Sequence, residues 1–479
     1  MFLMSRNLIS SRFGIVHFIG IGGIGMSGIA EILHNLGCNV QGSDLNLNAQ
    51  AKRLEDLGMK IMIGHTAENV KGASVVVRSS AVKMDNPEIV EARKLGIPII
   101  QRAEMLAELM RFKFSVSVAG THGKTTTTSL VACLFEAENL SPTVINGGII
   151  NSKLTNAYVG ESDYLIAEAD ESDGSFMKLP TSIAIVTNIN EDHMDFYKSI
   201  DDIYQAFKVY VENIPFYGFA VVCKDHPLSA KLAEDVVDRK VLTYAIENQA
   251  DIRATNIRMQ ESGYLFDVEV SNKVKGGGKV IKDCYIPMLG MHNILNSLAA
   301  MAIGIELGFK EQTIQNGFRS FQGVKRRFTL TGEVEGVRVY DDYAHHPEEI
   351  RATVEIARSV AEGTKGKVIG VFQPHRYTRL KKLFSDFVKA FDRVDVLVIA
   401  DIYSAGEQPI ENVSKDILIE AIRQHNNKLS IISMDSQEKL PEIISANSAK
   451  GDVVLCMGAG NITTWANNLP NQLRNAKVS

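Results

Sequence analysis

At 479 residues, 45% hydrophobic and 22% charged, the chain has a globular composition and is too long for a single core. A net charge of −5 spread along the sequence gives no reason to expect a nucleic-acid or membrane surface, and no run approaches the ~18 apolar residues of a membrane span. Five dispersed cysteines, Cys38, Cys133, Cys223, Cys284 and Cys456, contain no C-x-x-C and suggest neither a disulfide framework nor a zinc knuckle. They read as small buried residues of a reducing compartment. The opening MFLMSRNLISSRFG lacks a sustained apolar core of signal length, so a cytoplasmic protein is expected.

In chain order, GIVHFIG (14–20) reads as a strand, GMSGIAEILHNLG (25–37) as a helix stopped by Gly37, and CNVQGSD (38–44) and GASVVVRSSAV (72–82) as further strands. This first unit ends near QRAEMLAELMRF (101–112). A second starts with strand FSVSVAG (114–120) and the helix after its loop. DYLIAEAD (163–170), SIAIVTNI (182–189) and FAVVCKD (219–225) continue it, and NILNSLAAMAIGIELG (293–308) is a helix. Between YLFDVEV and KVIKDCYI, SNKVKGGG (271–278) reads as a hairpin tip. A third unit starts near 324, with strands VRVYDDY (337–343), KVIGVFQ (367–373), DVLVIADI (395–402), LSIISMD (429–435) and DVVLCMG (452–458). Alternating strands and helices predict α/β architecture with parallel sheets in three domains, 1–112, 113–323 and 324–479.

The first glycine motif, Gly20-x-Gly22-x-x-Gly25, lies between strand and helix. Its backbone amides suit a pyrophosphate at the helix start, and Asp44 ends the next strand where a dinucleotide fold keeps its ribose-binding acid. By themselves these residues leave open a nicotinamide or flavin, another diphosphate, or a merely tight turn. The loop GTHGKTTTT (120–128) is more specific. Lys124 is a point charge for β/γ-phosphates and the Thr125 hydroxyl a magnesium ligand. The early glycine of a usual Walker A loop is replaced by Val118, which argues against a motor or GTPase. AEADESD (167–173) crowds Glu168, Asp170, Glu171 and Asp173 at a strand end, either to hold Mg2+ or as a solvated loop with a helix cap. His193, in TNINEDHMD (187–195), is a second metal candidate or an ordinary structural histidine, and Lys208 reads as a solvated helix lysine. GMHNILN, GVKRRF, DDYAHHPEEI and QPHRYTRL gather His, Asn, Arg and Asp at element ends. Each could cap or face solvent, but Arg376 and Arg379 follow a strand end, where guanidinium forks suit a carboxylate or phosphate.

Taken together, GIGGIGMSGIAEIL, SSAV…NPEI, GTHGKTTTT, EADESDGSF, TNINEDHMD, LGMHNILN, GVKRRF, DDYAHHPEEI and FQPHRYTRL resemble the Mur ligase family, in order over nearly the whole chain. The GTHGKT loop is specific to that ligase superfamily, and the N-terminal motif, EADESD and HRYTR resemble its alanine-adding branch. MGAGN departs by ending in Asn461, where an Asp is more usual. The resemblance implies a Rossmann-like UDP-binding domain, a central P-loop-type ATP-binding domain and a C-terminal Rossmann-like domain. It implies ATP-dependent joining of L-alanine to the carboxylate of UDP-N-acetylmuramate through an acyl phosphate, in peptidoglycan precursor synthesis.

The catalytic set it implies is Lys124, Glu168, His193 and Arg327, with Thr125, Glu168 and His193 holding two Mg2+ ions. Gly120, Thr121, His122, Gly123, Lys124, Thr125, Thr126, His292, Asn293, Arg327 and Asp342 would meet ATP. Gly22, Gly23, Ile24, Gly25, Met26 and Ser27 would cradle the UDP diphosphate, with Asp44 and Ser79 toward uridine and Asn156 and Ala157 toward the sugar. His345, His375, Arg376 and Arg379 would hold L-alanine. A carbamylated Lys208 is not expected in the alanine-adding branch. The alternatives are a muropeptide-recycling ligase of the same family and, from another class, a nicotinamide-dependent dehydrogenase, which leaves the phosphate loop unexplained.

Overall fold

The run Ile15–Ile19 (β1) is buried from its second residue onward, as a strand covered on both faces of a parallel sheet must be. The computed structural model describes residues 14–476 except 80, 112, 195, 261 and 262. The N-terminal stretch 1–13 and the boundary residue 112 read above lie outside them. The chain divides into two compact units, Met1–Val324 and Lys325–Ser479.

In the first unit β1 leads into α1 (Ile24–Asn35), then β2 (Asn39–Asp44), β3 (Lys60–Ile63), β4 (Ala73–Arg78), α2 (Pro87–Lys94), β5 (Ile99–Gln101) and α3 (Arg102–Met110). The strands form a wholly parallel sheet in the order β3-β2-β1-β4-β5. The order reverses at β1, so the crevice beyond the carboxyl ends of β1 and β4 is where such a sheet takes a ligand. The first glycine motif and Ser79 stand there.

The second sheet starts with β6 (Phe114–Ala119), followed by α4 (Lys124–Ala137), β7 (Thr143–Ile150), β8 (Thr155–Tyr158), β9 (Tyr164–Glu168), β10 (Ile183–Val186) and α5 (Ile200–Glu212). It continues with β11 (Phe219–Cys223), β12 (Val241–Ala245), β13 (Ile252–Gln260), β14 (Gly263–Val270), β15 (Lys279–Ile286) and α6 (Met291–Leu307). Its ten strands run β15-β14-β13-β12-β11-β10-β6-β9-β7-β8. β6 is central, flanked in parallel by β9 and β10, and the ends of these three strands carry the phosphate loop, the acidic run and the TNIN segment. The two sheets share one buried cluster, in which Ile29 and Leu33 of α1 and Leu106 of α3 join Ile145, Ala157 and Phe207.

The second unit contains β16 (Thr329–Val334), β17 (Val337–Asp342), α7 (Pro347–Glu362), β18 (Val368–Phe372), α8 (Tyr377–Lys382), β19 (Val396–Ile399), β20 (Ser430–Ser433), β21 (Val453–Met457) and α9 (Ile462–Ala476). Its order is β16-β17-β21-β18-β19-β20, parallel except for β16. The strands anticipated from sequence are present, and the expected hairpin tip turns between β14 and β15 through Gly276 and Gly278 at positive φ. β3, β5, β7, β8, β12, β13 and β16 were not anticipated. Most are short or half-exposed, so alternation is weak, and β7 carries an Asn-Gly-Gly interruption. All five cysteines are free; four are buried and Cys133 is half-buried, as expected. Among the described residues no helix is long and apolar enough to cross a membrane.

Candidate active site

The phosphate loop is built by two glycines at positive φ, Gly120 (136°) and Gly123 (84°), which turn the chain from β6 into α4. Residues beyond β10 pin it. The Thr121 amide donates to the Asn188 carbonyl at 3.1 Å, and the His122 amide donates to Asn188 Oδ1 at 2.9 Å. Thr187 Oγ1 donates to the His122 carbonyl at 2.6 Å. The Thr126 side chain is buried in the first turn of α4. From α6, Asn296 closes the loop's other side, and a Cβ on Gly123 would stand 2.7 Å from Asn296 Oδ1. Asn293, expected to contact adenine, is buried and bonds the Leu289 carbonyl (2.8 Å) and Asn296 (3.2 Å), whereas His292 is exposed in the same turn. Asn188 and Asn296 lie within TNINEDHMD and LGMHNILN but were given no role there, and their position against the loop supplies one.

The four carboxylates of the acidic run do not converge, contrary to a crowded metal cluster. Glu168 Oε2 accepts from the Thr125 hydroxyl at 2.9 Å and from the Gly147 amide at 2.8 Å. Glu171 ion-pairs with Lys124 at 2.9 Å. Asp170 lies 3.5 Å from the Arg102 guanidinium and accepts from the Ser172 amide at 3.0 Å. Asp173 accepts from the Ser175 amide at 3.0 Å and from its hydroxyl, capping a short turn. Alternation and turning of the backbone send neighbouring side chains to different partners. His193 takes φ 52° and its Nε2 lies 3.7 Å from Glu171 Oε1. Lys208 is half-exposed on α5 with Glu212 at 3.9 Å, the ordinary reading of that lysine.

Burial opposes the Lys124 charge, yet Glu171, Asp170 and Glu168 outweigh it and keep the ammonium protonated beyond the ordinary lysine range. Its Nζ also donates to the carbonyls of Gly120 (2.7 Å) and Thr121 (3.2 Å). Burial likewise opposes ionisation of Asp170, but Lys124 and then Arg102 hold it below the usual carboxylate range. The oxygen donors Thr125 and Glu168 at the end of a phosphate loop fit a hard divalent cation such as Mg2+. Gly147 makes their meeting possible, because a Cβ there would lie 2.5 Å from both Glu168 oxygens.

At the first glycine motif, Asp44 takes the Gly22 amide (2.8 Å), and Asn48 Nδ2 donates to the Gly22 carbonyl (3.1 Å). Asp44 thus shapes the cradle itself. Gly23 caps α1, whose first amides, at Ile24 and Gly25, have no intrahelical acceptor. Met26 and Ser27 are buried, and the Ser27 hydroxyl donates to the Ile24 carbonyl at 3.0 Å. Ser79 faces the loop, its Cβ 3.5 Å from where a Cβ on Gly20 would stand. Asn156 Nδ2 donates to the Ile24 carbonyl at 2.7 Å, and Ala157 is wholly buried against Gly28. Both therefore seat α1 on the second sheet.

In the second unit Asp342 accepts from the Phe328 amide (2.7 Å) and the Ala344 amide (2.8 Å), fastening the segment that carries Arg326 and Arg327 to the end of β17. Burial pushes its carboxyl up to about 6 against the pull of Arg327. The guanidinium carbons of Arg326 and Arg327 lie 4.6 and 5.6 Å from the Tyr343 ring centre. His345 Nδ1 sits 2.9 Å from the Tyr343 carbonyl, and its ring is 6.0 Å from that of His375. His375 stacks on Tyr403 (5.5 Å, 11°) and receives Arg379 Nη1 at 3.3 Å. Burial, then His345, Arg379 and Arg376, lower its pKa to about 3, so the ring is neutral. Arg376 caps α8 at φ 69° with an exposed side chain. The structure thus gathers His345, His375 and Arg379, and adds Tyr403, which no sequence motif singled out.

Three family models match in succession: "Mur ligase family, catalytic domain" over residues 15–114, "Mur ligase middle domain" over 118–304 and "Mur ligase, glutamate ligase domain" over 326–460. The UDP-N-acetylmuramate–L-alanine ligase of Rhodospirillum rubrum is 53% identical over 96% of this chain and 95% of its own length. That of Rickettsia bellii is 52% identical over 99% and 100%. Among solved structures, UDP-N-acetylmuramate-alanine ligase from Thermotoga maritima superposes with a TM-score of 0.81 at 28% identity, covering 97% of this chain and all (100%) of that one. A murein peptide ligase from Psychrobacter arcticus shares the fold, with a TM-score of 0.70 at 23% identity over 96% and 99% of the two chains. The three models in order and the full-length relatives show that this chain belongs to the Mur ligase family.

Proposed function

We propose that this chain catalyses ATP-dependent joining of L-alanine to the carboxylate of UDP-N-acetylmuramate, a step of peptidoglycan precursor synthesis in the cytoplasm. The observation that carries this reading is 53% identity over 95% of a relative bearing that activity in its name. The murein peptide ligase supports the fold alone, and the HRYTR run favours the amino acid as acceptor. A dehydrogenase leaves the Lys124 loop without a task.

A carboxylate is a poor electrophile, so it must first accept the γ-phosphoryl group of ATP. Two anions have to meet, and charge neutralisation should dominate the barrier. The loop amides from Gly120 to Thr126 cradle the phosphates, and Lys124 sets its protonated ammonium on them. Thr125 and Glu168 would hold one Mg2+ and His193 a second. Bound there, the ions supply further neutralisation of the phosphates and the carboxylate. In the first unit His292 and Asn293 serve the nucleotide, and in the second Asp342 keeps the Arg327 segment in place. Neutral His375 orients Arg379, which with Arg376 and His345 takes the amino-acid carboxylate. The α-amine then attacks the acyl phosphate, phosphate leaves and the amide remains. The domain limits 1–112, 113–323 and 324–479 belong to this same reading.

The test is mass spectrometry of the products with ATP, Mg2+, UDP-N-acetylmuramate and a mixture of amino acids and peptides. UDP-N-acetylmuramoyl-L-alanine is expected as the main product. A peptide adduct in its place would assign the recycling reaction, and no amide at all would sink the ligase reading.

A further inference from the structure

The run YSAGE (403–407), beyond β19, belongs to none of the motifs that resemble a ligase. In the second unit it nevertheless fastens the HRYTR segment at several points. Tyr403 and His375 form an isolated parallel bridge. Through it the Tyr403 amide donates to the Pro374 carbonyl at 2.8 Å, and the Arg376 amide donates to the Tyr403 carbonyl at 2.9 Å. Four residues on, Glu407 accepts from the Thr378 amide at 3.1 Å and from the Thr378 hydroxyl at 2.6 Å. Burial opposes ionisation of Glu407, yet the Thr378 bonds and the charge of Arg376 hold it below the usual carboxylate range.

The segment needs such fastening. Arg376 takes φ 69° and ψ 136°, a conformation disfavoured for any residue but glycine. Strain of this kind persists only where the surroundings over-determine it, and it gathers at ligand clamps. The Tyr403 ring is fixed as well. A Cβ on Gly460 would stand 2.7 Å from its Cγ and 2.9 Å from its Cδ2, so the ring is held between the Gly460 backbone and the His375 ring on which it stacks. His375 in turn meets Arg379 Nη1 through Nδ1 at 3.3 Å. A guanidinium offers donors only, so Nδ1 accepts, and the plane of the imidazole sets where Arg379 points.

We propose that Tyr403 and Glu407 are positioning residues for the acceptor amino acid, which hold His375, Arg376 and Arg379 in the arrangement that receives its carboxylate. Tyr403 acts through the His375 ring and the Arg376 amide, and Glu407 through the first turn of α8. This rests on the function proposed above and extends the amino-acid pocket to a loop outside its motifs.

The experiment uses the full chain. Steady-state phosphate release is measured for wild type, Tyr403→Ala, Tyr403→Phe and Glu407→Ala, with L-alanine, UDP-N-acetylmuramate and ATP varied in turn. In both alanine variants KM for L-alanine should rise about 10- to 100-fold, as for a misplaced binding group, and by more than kcat falls. KM for the other two substrates should stay within about threefold of wild type. Tyr403→Phe keeps the stacked ring and should recover most of the loss. An unchanged KM for L-alanine in either alanine variant would overturn the proposal. So would an equal rise in KM for all three substrates, which marks a structural role, or a Tyr403→Phe variant as impaired as Tyr403→Ala. The Tyr403 side chain is 40% exposed, so its loss leaves no closed cavity. Should Tyr403→Ala still not fold, Tyr403→Leu and Glu407→Ala decide by the same criteria. Wild type that joins L-alanine while the variants match it defeats this inference alone. Wild type that forms no amide with any amino acid defeats the functional reading and this inference with it.

Discussion

Lys124 and Glu171 lie buried against each other at 2.9 Å, and removing either alone strands the other's charge. Lys124→Ala should therefore do two things. Turnover should fall roughly 1,000-fold, the cost of a lost phosphate clamp, and the first unit should lose about 3 kcal/mol of stability. Adding Glu171→Gln to Lys124→Ala should restore the melting temperature and leave turnover low, a separation read by thermal melts and phosphate-release assays. Near-normal turnover of the single variant would remove Lys124 from the chemistry. GTHGKT is legible from sequence because a phosphate loop is a local object: glycines, lysine and threonine are neighbours in the chain. Glu171 as the lysine's partner was not legible, since 47 residues separate the two and four carboxylates compete in one short run. Asp170 and Asp173 show the same limit, one turned to Arg102 and the other to a turn.

At the scale of the element, β7 shows how a strand serves a site. Its Gly147 and Gly148 lower strand propensity, yet they give Glu168 and Thr125 room; a Cβ on Gly148 would lie 2.9 Å from Thr125 Cγ2. Gly147→Ala should push the Glu168 carboxylate off Thr125. The Mg2+ concentration for half-maximal activity should rise about tenfold, with about 1–3 kcal/mol of overpacking strain. Magnesium titration of activity and a denaturation curve check this, and an unchanged magnesium requirement would separate Glu168 from metal binding. The same glycines hid β7 from the sequence reading, because they interrupt the β-branched pattern. α4 and α6 were both read from the sequence as helices, but the meeting of Asn296 with the loop depends on how the two helices pack.

For the whole molecule, the shared core of the first two sheets predicts a single cooperative transition for Met1–Val324. Two separate clusters lie wholly within Lys325–Ser479 and predict a second transition. Calorimetry should thus resolve two transitions, and three would contradict the shared core. In the second, His375 and Asp342 act in opposite senses: the raised carboxyl of Asp342 favours folding as pH falls, and His375 opposes it. Its folded pKa, about 3, lies below the ordinary value of about 6.5, so the unfolded chain binds more protons between these limits. The stability this group permits is complete above about pH 6.5 and is lost progressively as pH falls toward 3. After discounting for solvent screening, the His375 contribution lost from pH 7 to 4.5 is about 1 kcal/mol, or about 3 °C. His375→Asn should remove this contribution, raising the second transition relative to wild type at pH 4.5 and leaving the first unchanged.

The sequence by itself determined the α/β class, the order of glycine-rich loops and the ligase motifs, because each is written in residues close together along the chain. It also placed Lys124 in a phosphate-loop pattern, since the loop and the helix behind it are contiguous. The tertiary structure decided which acid answers which base, that Asp44 and Asn156 shape the first cradle from within, and that Tyr403 backs His375. It alone brought Arg102 to Asp170. These pairings depend on strand order and on the packing of distant elements, which local periodicity does not encode.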